Sequence, residues 1–447
     1  MGERVNEEYL RWSEEALGPG SAFEKPEALA GIRVLDFTLV VLGPTLSGFL
    51  ADFGAEVVRV ELPGMGDRLG RSIAPWGRFW KNQGFSTLQE GRNKLFATID
   101  VRKPEGQALF LRLAALSDVL VENFTPGTLD EWGIGYRQLQ EINPRLVYLA
   151  ASGFGQWGLN TRRPSFDPVA QGASGFSWIT GFPDGPATKS GTWPGDYCTA
   201  ALGAVAVLAA LHARQRTGRG QYIELSQTET LMRMMDWTWT YQALTGKERG
   251  RTGNRDAAVA PAGAYRCRDG FVAVAATTDD AFRGLCRAMG VSELAEDSRF
   301  ATIERRSRPD HAEALDRHVA EWVASKTRDE IVALAERHGF DAGPVLDFGE
   351  VCEDEHFRRR GAVQVFEDSL YGDVALPGPV PKLSRTPGRL RWAGRPVGFH
   401  NRYVFQKILG LTPAEIRALE EQGVIGSWVD RVGCKPPDDW EGQGTFF

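Results

Sequence analysis

Through the first half of the chain, short apolar runs alternate with stretches whose apolar residues recur every three or four positions. The two periods predict strands alternating with helices. Residues 32–37 (Ile-Arg-Val-Leu-Asp-Phe) read as a buried strand. Gly43-Pro44 opens a helix with Leu46, Phe49, Leu50 and Phe53 on one face, and Gly54 stops it. The run 57–61 is the next strand, closed by Pro63-Gly64. Further strands fit 95–99, 119–122, 146–152 and 222–225, and helices fit 104–116, 136–142 and about 197–214. Such βαβ repetition predicts an α/β fold whose large domain is a Rossmann-like, doubly wound parallel sheet.

After a helical stretch at 229–245 the pattern changes. Strands at 263–267 and 270–274, joined at Arg268-Asp269-Gly270, precede helices at 280–289, 312–325 and 328–337, which predicts a smaller α+β domain. The expected organisation is an N-terminal extension (1–30, with a helix at 7–17), the first part of the large domain (31–225), a linker (226–259), the small domain (260–344) and a second linker (345–372). Residues 373–447 return to the large domain, with a helix at 413–422 and a tail.

Composition narrows the function. A 447-residue chain with 42% hydrophobic and 25% charged residues fits a soluble globular protein of two or three domains. Its net charge of −6 argues against a nucleic-acid binder, so an anionic ligand needs a local basic pocket. Five scattered cysteines without CxxC spacing read as reduced thiols, and the six histidines lack metal-ligand spacing. Residues 1–26 are charged and polar, unlike a signal peptide, and the most apolar run, 200–211, is too short to span a bilayer. A cytoplasmic protein without membrane contact or metal is expected.

Asp196 follows Pro194-Gly195 and stands just before that apolar run, where a helix N-cap belongs. A carboxylate there accepts backbone N–H bonds and sees the positive end of the helix dipole, and both hold it ionised as a nucleophile requires. Position alone favours a plain cap, and the rest of the sequence reverses that preference. Asp167, 29 residues earlier, is either a second acidic group of the same site or a turn cap before Pro168.

The order and spacing of several segments point further. They are Val34-Leu35-Asp36-Phe37 with Gly43-Pro44, Glu61 with Gly66-Asp67, the run from Asp100 to Gly106, Val121-Glu122-Asn123-Phe124-Thr125-Pro126-Gly127, Asn143-Pro144-Arg145, Ser152-Gly153-Phe154-Gly155-Gln156, Phe166-Asp167-Pro168, Gly195-Asp196, Thr217-Gly218-Arg219-Gly220-Gln221 and Gly253-Asn254-Arg255. On these the chain, from about 31 to 425, resembles the family III CoA-transferases, the CaiB/BaiF or formyl-CoA and carnitine CoA-transferase group. The resemblance implies that Asp196 is the covalent nucleophile, passing through an aspartyl mixed anhydride and an aspartyl–CoA thioester, with Asp167 orienting or polarising the acyl group. It implies coenzyme A, carried as acyl-CoA, as substrate, with no redox cofactor. By matching position, Val41 and Leu42 meet CoA at the first βα turn, Ile99, Asp100, Val101 and Arg102 flank the adenosine, and Asn123, Phe124, Thr125 and Phe166 line the path to the reacting end. Arg71 and Lys94 are further candidates for phosphate charge. Glu131 departs from the pattern, since many relatives carry an arginine there, and the tetraglycine lid of oxalyl-transferring relatives is absent.

The resemblance also implies an interlocked homodimer, with pairing to a homologous subunit as the alternative. A 2-methylacyl-CoA racemase on the same fold needs a histidine where this chain has Phe166, and Phe cannot exchange a proton. An NAD-dependent dehydrogenase needs GxGxxG in the first loop, where the chain reads Leu39-Val40-Val41-Leu42-Gly43-Pro44. Trp76, Trp80, Trp178, Trp193, Trp237 and Trp239 fall near pocket motifs. They suit either an aryl acid such as an arylsuccinate, with succinyl-CoA as donor, or ordinary core packing.

Overall fold

The computed structural model describes residues 6–442. The outermost ends of the expected N-terminal extension and C-terminal tail, 1–5 and 443–447, lie outside these. The chain forms two compact units. The large unit takes the residues up to Ser174, Gly191–Met235 and everything from Asp354 onward, while the small one takes Gly175–Ser190 and Asp236–Glu353.

Six parallel strands make the sheet of the large unit: β1 (Arg33–Phe37), β2 (Glu56–Glu61), β3 (Lys94–Thr98), β4 (Val119–Glu122), β5 (Val147–Ser152) and β6 (Tyr222–Ser226). Their order is β3-β2-β1-β4-β5-β6. Strands β1 to β5 are buried almost throughout, as expected of a parallel sheet covered on both faces. On one face Leu42, Leu46 and Leu50 of the helix Leu42–Asp52 pack with Ala200, Ala204, Val207 and Leu211 of the helix Pro194–Thr217. These two helices cross closely because Gly203 has no side chain; a Cβ there would lie 2.3 Å from Leu46 Cδ1. The other face is covered by Leu109, Phe110 and Leu113 of the helix Pro104–Ala115, with Val404, Phe405 and Ile416 from the returning C-terminal segment.

In the small unit β7 (Ala262–Cys267), β8 (Gly270–Ala275) and β9 (Asp341–Pro344) form an antiparallel sheet. It is backed by the helices Asp279–Met289, Pro309–Ala324 and Arg328–His338, whose Leu285, Val319, Val323 and Ile331 join its core.

Four expectations change. The stretch 229–245 is two helices, Gln227–Met234 and Thr238–Thr245, broken at Asp236, which adopts φ 31°, and the two units divide there. The second expected linker holds regular structure, including β10 (Val363–Asp368), which pairs antiparallel with β11 (Gly372–Pro377) just after it. The helix after Gly195 begins earlier than expected, at Pro194, because proline is pre-set for the first helical position and needs no N–H partner there. At 24 residues, Pro194–Thr217 is long and apolar enough to cross a membrane by length and composition, although the run 200–211 alone is not. Its one face is packed into the core described above.

Candidate active site

In a sheet of order 3-2-1-4-5-6 the progression of strands across the sheet reverses between the parallel neighbours β1 and β4, and the loops leaving those two strands part to open a crevice at their carboxyl ends. A cavity of about 420 Å³ lies there. Its walls are Leu39 to Leu42 after β1, Asp67 to Leu69 after β2, Asn123 to Thr125 after β4, Ala151 to Gly153 at the end of β5, Pro164 to Phe166, and finally Asp196 and Gln227. A second cavity of about 290 Å³ adjoins it, sharing Leu39, Asp67, Arg68 and Phe124, and extends past Val60 to Leu62 to Ile99, Asp100, Val101 and Arg102. Of the fourteen residues singled out from the sequence, eleven therefore line one continuous cleft: Val41, Leu42, Ile99, Asp100, Val101, Arg102, Asn123, Phe124, Thr125, Phe166 and Asp196.

Asp196 is the third residue of its helix, not the cap, which is Trp193 and makes no side-chain cap bond. Its Oδ1 instead accepts a 2.6 Å hydrogen bond from Gln227 Nε2. Burial pushes the carboxyl up, the neighbouring charge of Asp167 adds to that, and the Gln227 bond pulls back, leaving it at about 7. The expectation of a firmly ionised cap is thus corrected: at neutral pH the group is poised between its two forms.

Asp167 does not line the cleft. It is buried at the start of the helix Asp167–Ala173, where Oδ1 accepts from the Gly195 N–H at 2.7 Å and Oδ2 from Gln171 Nε2 at 2.5 Å. Both oxygens are taken, so Asp167 acts here by fixing the turn that presents Asp196. Gly195 permits this approach, since a Cβ would sit 2.9 Å from Asp167 Oδ1.

Arg71 and Lys94 do not reach the cleft as free phosphate partners. Lys94 is fully buried, donating to Asp36 Oδ2 (3.0 Å), Ser47 Oγ (2.8 Å) and the Pro44 carbonyl (2.6 Å). Arg71 is 2% exposed and forks onto Glu61, with Nη2 2.7 Å from Oε2. Arg59 completes the group, pairing with Asp36 and with Asp67 at 3.0 Å. Burial alone would raise the Asp36 carboxyl, but Lys94 and Arg59 outweigh it and hold it at about 2. Three acids and three bases thus neutralise one another at the cleft floor, which Glu61 and Asp67 themselves help to line. This cluster also shapes the floor, because Asp67 Oδ2 accepts the Val40 N–H at 2.6 Å. Val40 is held at φ 66°, a costly conformation for a β-branched residue. Asn123 secures the preceding residue from the other side, accepting from Leu39 N at 2.7 Å and donating to Leu39 O at 2.9 Å.

Other cleft residues were not singled out as candidate site residues, Gln227, Ser152 and Arg68 among them. Gln227 touches Asp196 from 31 positions away, across a strand, and carries no local signal. Ser152 lines the larger cavity with an unpartnered hydroxyl. Arg68 lines both cavities and is exposed. Arg102 also lines the cleft, yet its Nε and Nη2 bind Asp100 at 2.7 and 2.8 Å. Glu131 lines neither cavity, and neither does any of the six tryptophans; Trp76 is 95% exposed.

The family model described as CoA-transferase family III matches residues 29–401. Succinyl-CoA–D-citramalate CoA-transferase of Chloroflexus aurantiacus is 39% identical over 407 residues, covering 91% of this chain and all of that one. The alpha subunit of succinyl-CoA–L-malate CoA-transferase from the same organism is 38% identical over 91% of this chain and 94% of its own. Mouse succinyl-CoA:glutarate CoA-transferase is 30% identical over 91% and 92%. Among solved structures, a CaiB/BaiF family protein from Brucella suis superposes with a TM-score of 0.75 at 29% identity, covering 86% of this chain and 100% of that one. The match of a single family model across most of the sequence, together with these full-length relatives, establishes that the chain belongs to CoA-transferase family III and is an enzyme of the CoA-transferase class.

Proposed function

We propose that the protein moves CoA from succinyl-CoA to a small dicarboxylic acid, with Asp196 as the covalent carrier. The observation that carries the mechanism is the half-buried Asp196 carboxylate at the wall of a cleft on the carboxyl ends of β1, β4 and β5, held at one oxygen by Gln227. The other oxygen attacks the thioester carbonyl; a C–O bond forms, the C–S bond breaks, and CoA leaves as thiolate from a mixed anhydride. The thiolate then attacks the aspartyl carbonyl, making an enzyme–CoA thioester and releasing succinate. The acceptor carboxylate attacks that thioester, and the returning thiolate takes the acceptor's acyl carbon, which regenerates Asp196. No net proton moves and the thioester bond energy is conserved. Because the anhydride and the thioester both hydrolyse, the cleft must exclude water during the cycle.

The substrate class rests on the relatives, whose names pair succinyl-CoA with citramalate, malate and glutarate. An aryl acceptor has less support, since none of the tryptophans that suggested it lines the cleft. Racemisation is disfavoured because Phe166, which stands in the cleft with Asp196, supplies no second base. We place the enzyme in the cytoplasm, a setting that suits five scattered cysteines without CxxC spacing, and read it as a homodimer.

Trapping tests the reading. Incubation with succinyl-CoA, then borohydride or hydroxylamine, digestion and mass spectrometry should locate the modification on the peptide carrying Asp196. Asp196→Ala should lose nearly all turnover while keeping its fold. A label on any other residue overturns the mechanism, and transfer confined to aryl acids overturns the substrate class.

A further inference from the structure

The two adjoining cavities share one cation that no acid holds. Arg68 stands on the loop after β2, where the cavity carrying Asp196 meets the cavity bounded by Ile99 to Arg102. The other basic side chains nearby are engaged: Arg59, Arg71 and Lys94 by Asp36, Glu61 and Asp67 at the floor, and Arg102 by both oxygens of Asp100. Each of those groups is electrically balanced. Arg68 is exposed, and among the described residues no carboxylate lies within ion-pair distance of it. It therefore leaves an uncompensated positive charge at the waist of the cleft, on an exposed side chain that lines both cavities.

We infer that Arg68 grips the diphosphate of CoA. The inference rests on the CoA-transferase reading of the cleft, and the layout supplies the position. A thioester reacting at Asp196 sends its pantetheine arm past Asn123 and Phe124, and an adenosine in the Ile99–Arg102 cavity leaves the diphosphate at the junction between them. A guanidinium presents paired N–H donors that match two phosphate oxygens, and binding there replaces water with a charge-assisted hydrogen bond. Ordering a long, exposed arginine side chain offsets part of that gain.

Calorimetric titration of the full-length protein with CoA, 3′-dephospho-CoA and pantetheine tests this. Arg68→Ala should weaken CoA and 3′-dephospho-CoA alike, by about tenfold to a hundredfold in Kd. Pantetheine, which lacks the diphosphate, should bind both proteins equally, and Arg68→Lys should recover part of the loss. In turnover, Arg68→Ala should raise KM for succinyl-CoA with little change in kcat, and succinyl-pantetheine should not distinguish the variants. Equal CoA binding by Arg68→Ala and wild type overturns the assignment while leaving the CoA-transferase reading intact. A loss confined to CoA, sparing 3′-dephospho-CoA, moves the contact to the 3′-phosphate. An equal loss with succinyl-pantetheine moves it to the succinyl carboxylate. Either result overturns the diphosphate assignment. Wild-type protein that fails to bind CoA overturns the functional reading itself.

Discussion

In the proposed mechanism Asp196 has to be an anion to attack, and its surroundings make that condition depend on pH near neutrality. With the carboxyl at about 7, kcat/KM for the acyl-CoA donor should rise with pH through that value and level off above it. Gln227→Ala removes the bond that pulls the value down, so its profile should shift to higher pH; a profile that stays put would mean Gln227 has no part in tuning the nucleophile. Stability should run the other way. Ionisation begins near the ordinary 3.8 in the unfolded chain but near 7 in the folded one, so between these values the folded state keeps a proton the unfolded state has lost. The folded state's advantage falls as pH rises through this window, by on the order of a few kcal/mol. Asn has no charge to bury. Asp196→Asn should therefore unfold at a higher temperature than wild type at pH 8, with the gap closing by pH 4, and scanning calorimetry at the two pH values checks it.

The loop between β1 and the helix Leu42–Asp52 is where an element departs from its own preferences. Val40 sits at φ 66° because Asp67 holds its N–H and Asn123 holds Leu39 from the opposite wall. Val40→Gly should leave unfolding free energy within about 1 kcal/mol of wild type, since relief of backbone strain offsets the lost side chain and the greater unfolded-state entropy. Asp67→Asn should cost about 3–5 kcal/mol, because it takes a buried anion from Arg59 as well. Urea denaturation ranks the two, and a larger loss for Val40→Gly would contradict the strain. None of this was legible in the chain: a strained valine looks like any other, and its two restraints come from other loops. The strands were legible because each is a continuous apolar run between turn residues, and Asp196 because Pro-Gly precedes it and an apolar helix follows. The break at Asp236 was missed, since the residues on both sides suit a helix and only the backbone turn at that position ends it. Arg71 and Lys94 were misread for a related reason. Residue type marks a cation, but only the folded arrangement of Asp36, Glu61 and Asp67 decides whether it is already paired, and Arg68 differs from Arg71 by nothing except that arrangement.

At the scale of the whole molecule, the helix Pro194–Thr217 presents three different surroundings. One end carries Asp196 and one face is core, yet Val205 and Leu208 on the opposite side are 60% and 44% exposed. The proposed homodimer would cover that face with a second copy and shield an apolar surface that water otherwise wets. Light scattering should give the mass of a dimer, and Leu208→Lys should weaken it; an active monomer would contradict the homodimer. The buried charges at the cleft floor have a different consequence. Every member of that ring satisfies another, so replacing one strands a neighbour in a medium that cannot solvate it. Change there is tolerable only in matched exchanges. The loops above can drift one substitution at a time and so acquire new acids to serve, while the foundation beneath them is free to alter only by swapping partners together.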